Sequence, residues 1–125
     1  MGTHTFALGA LNQTPMDWLG NQRRIEQAIT EAKQASSSLL ILPEMAICGY
    51  GCEDVYLSDY IYDLSLDILN KIEPLTENLV LVLGLPILFE GRRYNAAAVL
   101  VDGELQAIQC KKNIAGSGLH YDPRW

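Results

Sequence analysis

The sequence predicts an α/β fold built on a mixed sheet. Short apolar runs alternate with stretches of helical periodicity through the first 84 residues, and two later apolar runs flank Asp102-Gly103. Alternation of this kind favours parallel strands linked by helices, whereas Asp-Gly between apolar runs is a hairpin signal. At 125 residues and 49% hydrophobic content, the chain suits one small domain with a single core.

The elements follow in order. Phe6–Leu11 is an apolar run closed by Asn12-Gln13-Thr14-Pro15 and reads as a buried strand. Gly20-Asn21 opens a helix with Asn21 as its N-cap, and Ile25, Ala28, Ile29 and Ala32 form its core-facing stripe. Ser36-Ser37-Ser38 ends that helix, and Leu39–Leu42 is the second strand. The β-α-β unit favours a parallel pair. After a loop from Glu44 to Asp54, a second helix runs from Ser58 to Ile72 and stops at Pro74. Leu79–Gly84 is a continuous apolar run with the length of a strand covered on both faces. Tyr94–Val101 and Leu105–Cys110 then form the hairpin, giving a sheet with helices on at least one face. From Asn113 to Trp125 no periodic apolar face remains, which suggests that the chain stops before its fold does.

Composition excludes several function classes. A net charge of −6, with only Arg23-Arg24, Arg92-Arg93 and Lys111-Lys112 as basic doublets, provides no nucleic-acid footprint. No segment has the roughly 18 uninterrupted apolar residues of a membrane span, and the first residues do not read as a signal peptide. Cytoplasmic placement is therefore the default expectation. Three cysteines, an odd number, do not form a disulfide framework.

Two charges end apolar runs. Glu44 follows Leu39–Leu42 at the carboxyl end of a predicted strand, where open α/β sheets bind ligands. It is either a surface carboxylate or a general base held at the sheet edge. Lys111 ends Leu105–Cys110 in the same manner, either as part of a solvated doublet or as an inward cation that stabilises an oxyanion. Tyr50, six residues after Glu44 in a Gly-flanked turn, is close enough to line a pocket around it. Asn95 enters an otherwise apolar strand, so its amide is expected to bridge backbone groups within the core. Cys48 and Cys52, spaced C-x3-C, have too few further soft ligands for a zinc site, and Cys110 reads as core.

The quoted motifs resemble the nitrilase, or carbon–nitrogen hydrolase, superfamily, most closely the amidase domain of glutamine-dependent NAD synthetases. The likeness rests on Phe6–Gln13, Gly20-Asn21 through Arg24-Ile25, Leu42-Pro43-Glu44-Met45 and Gly49-Tyr50-Gly51-Cys52-Glu53-Asp54. Gly84-Leu85-Pro86, Arg93–Ala97 and the stretch from Lys111 to Trp125 extend it over essentially the whole chain. The resemblance implies an α-β-β-α sandwich, present here as its N-terminal part across residues 1–125, and a Glu-Lys-Cys triad. Glu44 matches the base, and Lys111 matches the lysine because Lys-x-x-Ile-Ala-Gly fits from that position, with Lys112 as the fallback. Tyr50 matches a position lining the glutamine pocket. The family's nucleophilic cysteine follows a later strand, and Cys48, Cys52 and Cys110 all precede the matched lysine.

The implied activity is glutamine hydrolysis that releases ammonia for amidation of nicotinate adenine dinucleotide. The amidase part needs no cofactor. ATP and Mg belong to a synthetase domain this chain does not contain, and self-association into a homo-oligomer is expected by resemblance. Two alternatives use the same residues: a free-standing amidase acting on another small amide, and a non-catalytic interaction module.

Overall fold

The structure, a computed structural model, describes residues 4–113. The expected reading of the last stretch, together with the part of the Lys111–Trp125 likeness beyond Asn113, lies outside those residues. A five-stranded sheet has its strands in sequence order, β1 (Thr5–Leu8), β2 (Ser37–Ile41), β3 (Val80–Phe89), β4 (Arg92–Val101) and β5 (Glu104–Cys110). The β1–β2 and β2–β3 pairs are parallel, while β3–β4 and β4–β5 are antiparallel, so the predicted mixed sheet is present.

Helices α1 (Trp18–Gln34) and α2 (Tyr60–Ile72) connect the parallel strands. Ile25, Ile29 and Ala32 of α1 share one core with Ile68, Leu69 and Ile72 of α2 and with Leu40, Leu81, Leu83 and Leu100 of the sheet. Both helices therefore cover the same face. The opposite face alternates with it and carries Phe6 (64% exposed), Leu8 (80% exposed), Ile41, Val80, Val82 and Val99. The expectation that the Leu79–Gly84 run is covered on both faces is not met among the described residues, because α1 and α2 share one side.

Several boundaries shift for identifiable reasons. The first strand ends at Leu8, not Leu11, since β2 offers partners only up to Ile41 opposite Leu8. Asp17, not Asn21, caps α1 by accepting from the Gly20 N–H at 3.1 Å. Ser37 and Ser38 belong to β2, and the helix is closed upstream by the left-handed conformation of Ser36 (φ 54°). The third strand runs past Gly84 through Pro86 to Phe89. Proline is tolerated there because the Gly84 N–H points to the β2 side, so the Pro86 nitrogen, two residues on, points the same way beyond the end of β2. Asp102-Gly103 turns β4 into β5 with φ of 54° and 85°, both positive as a two-residue hairpin loop of type I′ requires.

A smaller apolar cluster underlies the segment after Glu44. Met45, Cys48, Cys52, Tyr56, Ile61 and Tyr62 pack together there. Tyr62 donates to the Tyr56 carbonyl at 2.7 Å, and burial pushes its phenol up to about 12. Burial raises Tyr56 as well. A folded phenol that keeps its proton where the unfolded one (ordinarily near 10) has lost it makes the unfolded state bind fewer protons. The stabilisation is complete below that ordinary value and is lost as pH rises toward 12. Denaturant midpoints measured across this window should fall with pH, and Tyr62→Phe should flatten the decline. Equal slopes for the two proteins would contradict this assignment.

Candidate active site

The turn after β2 is held from three directions. Leu42 N–H donates to Val82 O at 2.8 Å and Gly84 N–H donates to Pro43 O at 3.1 Å, so Pro43-Glu44 lies directly on β3. Met45 then takes φ 52°, which reverses the chain immediately after Glu44. Met45, Ala46, Ile47 and Cys48 are fully buried; the Gly49 N–H takes the Met45 carbonyl at 2.8 Å, and the segment entering α1 and its first turn take the other three. Gln13 Nε2 donates to Ala46 O, Asn21 Nδ2 to Ile47 O at 3.2 Å, and Met16 N–H to Cys48 O at 2.8 Å. Asn21, expected as a cap, instead sits buried inside α1 and also binds Thr14 through its N–H and carbonyl. Each backbone group it satisfies would otherwise be an uncompensated buried dipole.

On this platform the Glu44 carboxylate meets two donors from other strands. Lys111 Nζ lies 2.9 Å from Glu44 Oε1, and the Asn95 side-chain amide donates to the same oxygen. Lys111 follows β5, and its backbone N–H is tied to Asn95 O at 2.7 Å. Lys112 is exposed, so the inward lysine is Lys111. The three side chains stand on the wall of a cleft of about 350 Å³ that Val82, Ala97 and Gln109 also line. At 41% and 32% side-chain exposure, Glu44 and Lys111 are accessible to a small molecule entering that cleft.

Asn95 departs from its expected role. Its amide does not bridge backbone groups inside the core; it reaches the Glu44 carboxylate, 51 positions away in sequence. Register explains this: Asn95 pairs with Pro86, on the face shared by Gly84 and Ala97 and opposite the helices. Its one sequence signal was a polar residue within an apolar strand. Tyr50 is 37% exposed on the same loop as Glu44 and is not among the residues lining this cleft.

Cys48 and Cys52 lie away from the cleft, whereas Cys110 is among the residues that line it. Cys48 and Cys52 donate to Gly49 O at 3.2 and 3.3 Å within the smaller cluster. A hydrogen bond with Cys52, followed by burial, holds the Cys48 thiol well above its ordinary range, while the hydrogen bond from Cys48 lowers Cys52 to about 7. Both are nearly inaccessible to a substrate. Cys110 pairs with Ala96, and the alternation of β5 packs its side chain against the helix-side core, away from Glu44. Among the described residues, no group of three or more His, Cys, Asp or Glu could hold a metal ion. No helix among them is long and apolar enough to cross a membrane.

Residues 5–117 match the carbon-nitrogen hydrolase family. The chain belongs to that family. A glutamine-dependent NAD(+) synthetase of Dictyostelium discoideum is 38% identical over 128 residues, covering 100% of this chain and 18% of the relative. The crystal structure of a glutamine-dependent NAD(+) synthetase from Cytophaga hutchinsonii superposes with a TM-score of 0.92 at 37% identity, covering 94% of this chain and 20% of that one. An amidase from Nesterenkonia sp. shares the fold, with a TM-score of 0.75 at 23% identity over 90% of this chain and 44% of its own. This carbon-nitrogen hydrolase chain thus spans about a fifth of the synthetases that it matches. Its fold is the nitrilase fold the sequence resemblance implied.

Proposed function

We propose that this chain supplies the glutamate and lysine of a glutamine amidohydrolase within a longer glutamine-dependent NAD synthetase. The observation that carries the proposal is the convergence of Glu44 and Lys111 on one cleft wall, 2.9 Å apart, from the ends of two different strands. Similarity to the synthetases supports glutamine as the amide in this reading.

A free thiol has a pKa near 8.5, so little thiolate is present at neutral pH. In the proposed reaction, Glu44 accepts the proton of a cysteine thiol that lies beyond this chain. The thiolate attacks the glutamine amide carbon, and Lys111 stabilises the oxygen as its negative charge develops. Glu44 then returns the proton to the departing nitrogen, which leaves as ammonia. Water deprotonated by Glu44 releases glutamate from the thioester. Ammonia passes to a synthetase domain that uses ATP and Mg to amidate nicotinate adenine dinucleotide. Tyr50 is assigned to the glutamine pocket by resemblance alone, since it stands outside the cleft wall. The open apolar sheet face, with Phe6, Leu8 and Ile41, is suited to a second sheet that would complete the sandwich.

The 125 residues alone should release no ammonia from glutamine, because each of the chain's cysteines is buried or directed away from Glu44. The longer protein should do so. Ammonia release measured on both, with acetamide as a competing substrate, tests the reading. Turnover by the 125-residue chain would overturn it, as would preference of the longer protein for acetamide.

A further inference from the structure

Two donors converge on one oxygen of Glu44, and they differ in kind. Lys111 reaches Oε1 with a flexible, partly exposed ammonium at 2.9 Å. Asn95 reaches it with an amide that is 5% exposed and fixed in the middle of the β3–β4 ladder opposite Pro86. The other carboxylate oxygen, Oε2, accepts no hydrogen bond among the described residues. Asn95 also controls the second charge, because its carbonyl receives the Lys111 backbone N–H at 2.7 Å. A single strand residue therefore spaces the carboxylate from the ammonium, with one hydrogen bond to each partner.

We infer that Asn95 is a positioning residue for Glu44: its amide holds Oε1 in place and thereby presents Oε2 as the oxygen that receives the thiol proton. This rests on the proposed amidohydrolase reading. The need for such an anchor follows from the chemistry. A glutamate has three rotatable side-chain bonds, and proton transfer requires its acceptor oxygen within hydrogen-bond reach of the thiol. Lys111 cannot supply the anchor throughout the reaction, since its ammonium is also required by the developing oxyanion. When that pull comes, the Asn95 amide remains on Oε1. An amide also adds a donor without adding charge. A second cation there would hold the carboxylate ionised and weaken it as a base, and a second anion would compete with it for the proton.

The titratable groups lining this cleft among the described residues are Glu44, Cys110 and Lys111, and the Cys110 side chain packs on the helix side. Asn95→Asp, nearly isosteric, removes the donor and sets a second carboxylate against Glu44, so the pair takes up a proton at higher pH. Asn95→Ala removes the anchor outright. The test uses the full-length protein carrying this chain, with glutamine as substrate and melting temperature as the control for folding. Both variants should lose about 10–100-fold in kcat with KM within about threefold of wild type, a loss typical of a misplaced catalytic group. In Asn95→Asp the acid limb of the kcat/KM profile should also move to higher pH. Alkylation of the catalytic thiol by iodoacetamide should slow in parallel, a readout that active-site titration corrects for any unfolded fraction. Wild-type profiles and alkylation rates in both variants, alongside loss of turnover in Glu44→Gln, would overturn this inference while leaving the amidohydrolase reading intact. Full turnover in Glu44→Gln would overturn both.

Discussion

Glu44→Gln in the full-length protein is expected to lower kcat/KM for glutamine by about 10²–10⁴, the range that a positioned general acid–base group contributes. The substitution preserves length and shape but removes the proton acceptor. It also places an amide where Lys111 and Asn95 now donate to a carboxylate oxygen. The neutral amide loses the ion pair in either orientation, and one orientation also turns its NH₂ group toward two donors. Lys111→Met should cost about 10²–10³ through the oxyanion. Because Lys111 and Glu44 act on one another as well as on substrate, the double variant should be little worse than the poorer single one. Ammonia release from glutamine measures all three. Additive losses would mean that the two groups work independently, and wild-type activity in either single variant would remove that residue from the chemistry.

The charged half of this site was legible because Glu44 and Lys111 both terminate apolar runs, and a charge in that position is cheaply placed only at the rim of a sheet. Sequence spacing could not reveal that they meet, since 67 positions separate them. Their meeting depends on the order of β2 to β5 and on the register of β4. The same register took Asn95 out of the core reading: a polar residue in a strand shows that a partner is needed, not which face it occupies. Asn21 misled for a related reason. Its side chain suits a helix cap, but Asp17 lies one turn earlier and takes that role, freeing the Asn21 amide to hold Ile47. Ser36 to Ser38 looked like a terminator because serine is polar and short. The break was instead the left-handed Ser36, and the two following serines fit β2, with Ser37 buried. The expected run stops at Gly84, yet the strand continues through Pro86, which costs no hydrogen bond where the neighbouring parallel strand has already stopped. In each case the local preference was correct, and a tertiary partner decided where it was used.

Gly84→Ala should be more damaging than the addition of one methyl group suggests, because it acts on the platform beneath Glu44. A Cβ at this position would lie 2.6 Å from Glu44 Cα and 2.8 Å from its carbonyl carbon, with the Met45 nitrogen also in contact. These are backbone atoms, so no side-chain rotation relieves the overlap. Nor can either strand retreat freely: Gly84 N–H is bound to Pro43 O at 3.1 Å, its carbonyl accepts from Ile47 N–H at 3.4 Å, and Ala97 pairs with it across β4. The relief with fewest broken bonds lifts Pro43-Glu44-Met45 off β3, which strains the positive φ of Met45 and carries the carboxylate away from Asn95 and Lys111. Overpacking of this kind costs about 1–3 kcal/mol. A displacement near 1 Å at a catalytic group costs on the order of 100-fold in rate. Thermal denaturation and glutamine turnover of the full-length variant should therefore both fall, with turnover falling further than the folded fraction accounts for. Ala97→Gly in the same background supplies the contrast, since it opens the neighbouring β4 position without moving the Glu44 backbone and should not restore activity. A Gly84→Ala protein with wild-type melting temperature and turnover would show that the close approach of β3 to Glu44 is not what holds the carboxylate.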